Sequence, residues 1–167
     1  MNKILDLCVL RDEDTGKFGY MGDADDWVIK PIFDLGRDFY EGLALVNFEG
    51  KWGYIKPDGD WAFDARFDDA GSFLNGFASV KVDGKWGFID KSGKVVIEPK
   101  YDDAWSFSDN YAIVELNGKQ GFINRLGEPI GEIIYDYLKD FRDGKAVAML
   151  DDKWGYLDRK GEWHEEV

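Results

Sequence analysis

One lysine sets the architecture. Aligned on the lysine that opens "KWG" or its variants, the chain repeats at Lys17, Lys51, Lys85, Lys119 and Lys153, a spacing of 34 residues each time. A fixed period of this length marks a tandem-repeat protein, in which each unit buries its apolar face only against its neighbours. Paired-helix repeats share the period, but several glycines and short alternating runs in each unit leave no helical apolar pattern.

The columns of the repeat read as strands and turns. After the lysine come Phe18, Trp52, Trp86, Gln120 and Trp154, then Gly19, Gly53, Gly87, Gly121 and Gly155, then Tyr20, Tyr54, Phe88, Phe122 and Tyr156. Asp34, Asp68, Asp102 and Asp136 form a later column, as do Phe39, Phe73, Phe107 and Phe141. "KWGYI" is a first strand; "KVVIEPKY" is a second, with Val95, Ile97, Pro99 and Tyr101 on one face and Glu98 and Lys100 on the other. "YAIVEL" and its copies are a third, with about eight residues of loop before it. Glu49-Gly50, Asp83-Gly84 and Asn117-Gly118 are two-residue hairpin turns that carry the third strand of one copy into the first strand of the next. The sheet order is therefore third, first, second. The chain divides into five three-stranded meanders, roughly 4–33, 42–67, 76–101, 110–135 and 144–167, with Leu7 to Leu10 as the opening strand of the first.

The expected fold is all-β, a single domain over 1–167: five tandem antiparallel meanders in an open, curved superhelical stack. A closed five-bladed, propeller-like ring is the alternative. The chain begins and ends at meander edges, as expected of a complete array, and Glu162, Glu165 and Glu166 would blunt a terminal edge.

These columns resemble the bacterial WG-containing repeat, whose consensus reads much like "KWGFIDKSGKVVIEPKYDDAWSFSDNYAIVELNG", over almost the whole chain. The resemblance implies β-rich tandem modules used for binding or scaffolding, with no shared catalytic residues. The fourth unit departs from it, with Gln120 for tryptophan and Pro129 and Gly131 in the next strand.

Trp52, Trp86 and Trp154 could form a cation-binding cage or pack between units. Packing is preferred, because the same place accepts Phe18 and Gln120. The adjacent glycines Gly53, Gly87, Gly121 and Gly155 would let a strand approach closely. Together with Phe39, Phe73, Phe107 and Phe141 these residues form the expected repeat core. The recurring aspartates are read as acceptors for turn amides, and "FDDA" and "YDDA" as turns rather than acid–base pairs.

Trp105 stands where other units carry Arg37, Gly71 and Lys139. An aromatic at a place the fold does not require is the leading partner-contact candidate. Trp27, Trp61 and Trp163 share a second column and are candidate contacts as a ladder on one side, with inward packing the preferred reading of that column.

The acidic groups "GDADDW" and "KPDGDW" lack calcium-loop spacing, and His164 has no histidine or cysteine partner at ligand spacing. No serine sits in a nucleophile elbow, and Cys8 has no nearby base. The chain is therefore expected to be non-enzymatic, without metal or cofactor. With 34 acidic against 21 basic residues its net charge is −13, which disfavours nucleic acid and suits a basic protein partner. An inhibitor or immunity-type protein shielding a basic toxin is one concrete form of that expectation. A carbohydrate- or cell-wall-binding protein using exposed aromatics is the alternative. The first residues are too broken for a signal peptide, and no run approaches the roughly 20 apolar residues of a membrane span, so a cytoplasmic protein is expected.

Overall fold

The structure, a computed structural model, describes residues 7–165. Every element in it is a strand, and the strands form five antiparallel sheets. The first sheet holds β1 (Cys8–Arg11), β2 (Phe18–Met21) and β3 (Trp27–Phe33). The second holds β4 (Leu35–Tyr40), β5 (Leu43–Phe48), β6 (Lys51–Ile55) and β7 (Trp61–Phe67). The third holds β8 (Asp69–Ala70), β9 (Phe77–Val82), β10 (Lys85–Asp90) and β11 (Val95–Tyr101). The fourth holds β12 (Asp103–Ala104), β13 (Tyr111–Leu116), β14 (Lys119–Asn124) and β15 (Pro129–Tyr135). The fifth holds β16 (Tyr137–Leu138), β17 (Lys145–Leu150), β18 (Lys153–Asp158) and β19 (Trp163–Glu165).

The third–first–second order holds in every sheet, and the turn residues Glu49, Asp83 and Asn117 take the positive φ that tight hairpins need. The connection read as a loop contributes more than expected. It opens with an extra strand, β4, β8, β12 or β16, on the free side of the third strand, so four of the five sheets are four-stranded. The cause is backbone accounting: an unpaired strand edge beside a packed neighbour would leave buried carbonyls and amides without partners. Asp68 N–H to Lys81 O, 2.9 Å, is one such bond.

Each sheet packs face to face on the next, and four clusters fill the four gaps. The Tyr or Phe after each "WG" glycine meets the recurring phenylalanine edge-on or tilted. Ring centroids are 5.0 Å apart for Tyr20–Phe39, 4.9 Å for Tyr54–Phe73 and for Phe88–Phe107, and 4.6 Å for Phe122–Phe141. Phe73 and Phe107 are buried, Phe39 and Phe141 half-buried. Such pairs gain beyond the area they bury.

The "WG" glycines have a steric role. Trp86 pairs with Tyr101 and Phe88 with Ile97, so one residue of β10, Gly87, faces three of β11. The bulge pushes the β11 backbone against Gly87, where a Cβ would lie 2.7 Å from Pro99 N. Gly19, Gly53, Gly121 and Gly155 meet the opposite strand as closely. Pro31 and Pro99 sit in these bulges, where no ladder N–H is needed.

The stack is open. Leu10, opposite Gly19, is 43% exposed, whereas its counterparts Val46, Val80, Val114 and Ala148 are 0% exposed. At the other end Val147 is 46% exposed, against 7% for its counterpart Ile113. A closed ring would press these two faces together and bury both. The same end effect corrects the expectation for Trp154. Trp52 and Trp86 are half-buried against the inter-sheet clusters, but Trp154 is 52% exposed, edge-on to Tyr137, because no described sheet follows the fifth. Glu166 and the start of the first meander lie outside the described residues. No helix among the described residues is long and apolar enough to cross a membrane.

Candidate functional site

The recurring lysine and aspartate meet as a clamp between neighbouring sheets. Lys17 reaches Asp34 and Lys51 reaches Asp68 at 2.5 Å, and Lys85–Asp102 and Lys119–Asp136 form the same pair. The second oxygen of Asp34, Asp102 and Asp136 accepts the turn amide of Glu49, Asn117 or Asp151. The lysine hydrogen bond holds each of these carboxylates below its usual pKa, with the turn amide adding to the effect. They are therefore held as charged structural acceptors, the opposite of what a general acid needs.

The inner edge strands gather along one side of the stack. Gly36 to Asp38, Ala70 to Ser72, Trp105 with Ser106, and Leu138 to Asp140 line two depressions of about 580 and 450 Å³. Ser106 lines both, so the two adjoin and together make up a shallow trough, lined from Val9 in the first sheet to Asp140 beyond β16.

Its second part is where the repeat departs from its own pattern. Gln120 breaks the tryptophan column, Tyr137 stands where two other units carry aspartate, and Trp105 comes from a column that differs in every unit; all three line this depression with Ile113 and Leu138. Two of the departures are coupled. In the third and fourth sheets Asp69 and Asp103 accept the N–H of the following alanine, Ala70 or Ala104, at 2.8 Å. Tyr137 takes that aspartate's place in the fifth sheet, and the Leu138 N–H instead donates to Gln120 Oε1, 2.9 Å away. Gln120 stands where other units carry Trp52, Trp86 and Trp154. Replacing Gln120 with leucine strands the Leu138 amide and is expected to cost about 1–3 kcal/mol. A urea melt checks this, and an unchanged midpoint would mean the bond contributes nothing.

Among the sequence candidates, Trp105 is 42% exposed on the trough. Trp61 packs edge-on to Phe33 at 5.9 Å, and Trp163 lies against Tyr135 at 6.0 Å, both between sheets. Trp27 is half-buried on the first sheet. The four tryptophans do not meet in one surface. The sequence marks Gln120 as a departure of the fourth unit but does not link it to Trp105, and Tyr137, in a column with Leu35, Asp69 and Asp103, carries no such mark.

Asp158, Glu162 and His164 bring ligand-type atoms within 4.8 Å of one another at the last turn. Asp158 Oδ1 accepts the amides of Lys160 and Glu162, as Asp90 does for Ser92 and Lys94, and His164 stacks on Tyr156 at 4.7 Å. Turn formation and ring packing account for the group. Cys8 is exposed on β1.

An open stack of helix-free sheets, joined through aromatic layers and grooved along its inner edges, defines a tandem β-repeat protein. The chain belongs to the WG containing repeat family, whose pattern matches residues 18–52, 52–86, 86–119 and 121–154. No curated protein matches it. Among solved structures it is similar to one described as KlHsv2 with loop 6CD replaced by a Gly-Ser linker, at 9% identity and a TM-score of 0.46. That match covers 74% of this chain and 47% of the other, so this chain spans about half its length.

Proposed function

We propose that this chain is a non-enzymatic recognition module that engages a protein partner with a basic surface through the inner trough around Trp105. One observation carries the reading: Trp105 and Tyr137, aromatics at places the repeat leaves free to vary, converge on one depression with Gln120, which departs from the tryptophan column. The fold uses other residue types at these columns elsewhere, and exposed tryptophan and tyrosine are the side chains that dominate protein-recognition hot spots. The net charge of −13 steers a basic partner toward the stack and repels an acidic one. An inhibitor or immunity-type role is one form this activity can take.

A second reading, carbohydrate binding, draws on the same depression. Trp105 and Tyr137 beside Gln120 and Asp140 offer rings for a sugar face and polar groups for its hydroxyls.

The test is a photo-crosslinking residue at position 105 in the full chain, exposed to native lysate, with the exposed turn position Lys94 as control. A discrete protein adduct at 105 and none at 94 is expected. Adducts only with saccharide, or equal labelling at both positions, would overturn the protein reading.

A further inference from the structure

We propose that the trough receives an extended segment of the partner chain, with one apolar side chain anchored between Trp105, Ile113 and Tyr137. This rests on the protein-recognition reading above and specifies the form of what binds.

The shape is the first argument. The trough crosses the inner edges of all five sheets, from Val9 through Gly36, Gly71 and Ser106 to Asp140. A long, shallow site fits a linear occupant better than a rounded ligand.

The polar lining is the second. Arg37 and Lys139 carry donors, Asp38 and Asp140 carry acceptors, and Ser72 and Ser106 carry both. Their four charges cancel. A peptide main chain presents one donor and one acceptor at each residue, and in extended form none is satisfied internally. A lining that alternates the two without net charge suits that backbone. It does not suit a polyphosphate chain, which needs an excess of cations.

The third is the anchor. Gln120 lines the depression and its oxygen accepts the Leu138 amide, while its Nε2 hydrogens have no hydrogen-bond acceptor among the described residues. Beside them stand Trp105, Ile113, Tyr137 and Leu138. An aliphatic or aromatic side chain entering there buries area on two exposed rings while its own carbonyl accepts from Gln120. Basic residues flanking the anchor then meet the field of a chain with net charge −13.

The experiment uses the full chain and fluorescein-labelled ten-residue peptides read by anisotropy. Each has lysine-containing flanks and one central residue drawn from Leu, Ile, Phe, Trp, Ala or Asp; a parallel set has glutamate flanks. At least one apolar centre is expected to bind tenfold or more tighter than Ala, and the glutamate set more weakly than the lysine set. Trp105→Gly, which installs the residue of the third sheet, is expected to lower affinity at least tenfold. The double variant Gln120→Trp with Tyr137→Asp installs the residues of the third unit, Trp86 and Asp103, and removes both the free amide and one of the two rings, so it is expected to do the same. Melting curves for all variants check that they remain folded.

Equal binding of the Ala and apolar centres, or unchanged affinity in Trp105→Gly, overturns the anchor. No peptide binding alongside a discrete protein adduct at position 105 overturns the extended segment while leaving protein recognition standing, because the partner then presents a folded surface. Binding of chito-oligosaccharide in place of any peptide overturns both.

Discussion

Gly87→Ala is expected to destabilise the protein by about 3–5 kcal/mol, at the upper end of the range for single substitutions. The residue is not in a left-handed conformation, so the cost is steric. Its added Cβ would lie 2.7 Å from Pro99 N and 2.9 Å from the carbonyl carbon of Glu98, with Ile97 O nearer still. All three are backbone atoms of the bulged strand β11, and none can rotate away. Relief requires the bulge to open, which breaks the Trp86–Tyr101 and Phe88–Ile97 register and lifts Tyr101 from the inter-sheet cluster. Gly84→Ala is the matched control. It has a φ of 78° and nothing within 4 Å of an added Cβ, so it carries only the left-handed penalty of about 1–2 kcal/mol. Urea melts of the two variants check this. Equal losses would remove the close-approach account of the "WG" glycine.

Phe73→Ala is expected to cost about 3–5 kcal/mol, the usual loss for a buried phenylalanine. Phe73 is fully buried in the cluster between the second and third sheets, edge-on to Tyr54 at 4.9 Å and 6.3 Å from Phe63. It lies between β8 and β9, so its ring is the plug that closes one gap of the stack. In a repeat array stability is close to a sum of unit and interface terms. The loss should therefore concentrate at that gap. Amide exchange is expected to accelerate in β5, β6 and β9 before β17 and β18. Uniform acceleration across all sheets would show a single cooperative unit instead.

Much of the fold was legible because the repeat states it five times. Glu49-Gly50, Asp83-Gly84 and Asn117-Gly118 set hairpins by their own φ preferences, and these appear where the dipeptides stand. Asn75-Gly76 and Asp143-Gly144 carry the same signal, and they too close tight turns, with Leu74 bridged to Phe77 and Arg142 to Lys145. The segments before them lack strand-like alternation, so the sequence alone does not set these two turns apart from the loop. The extra strands β8, β12 and β16 are two residues long, below what any pattern of alternation can reveal.

The candidate site was half legible. Trp105 is legible as an aromatic in a column that differs in every unit, and the structure exposes it on the trough. The ladder of Trp27, Trp61 and Trp163 had no such fate, because a shared column fixes only a shared orientation toward a sheet face. Whether that face meets solvent depends on the neighbour. Trp61 and Trp163 pack between sheets, and Trp27 sits on the first sheet, where Leu10 is exposed as well.

By itself the sequence determined the period, the strand order within each sheet, the tight turns and the residues that recur, because these depend on local backbone preference and on alternation over a few positions. Only the tertiary structure decided which columns meet. Lys17 with Asp34, the Tyr54 hydroxyl with Gly71 O, and Gln120 with Leu138 all pair across about half a repeat, where one sheet hands over to the next. The offset between stacked sheets is a property of packed side chains in three dimensions, and no local rule along the chain encodes it.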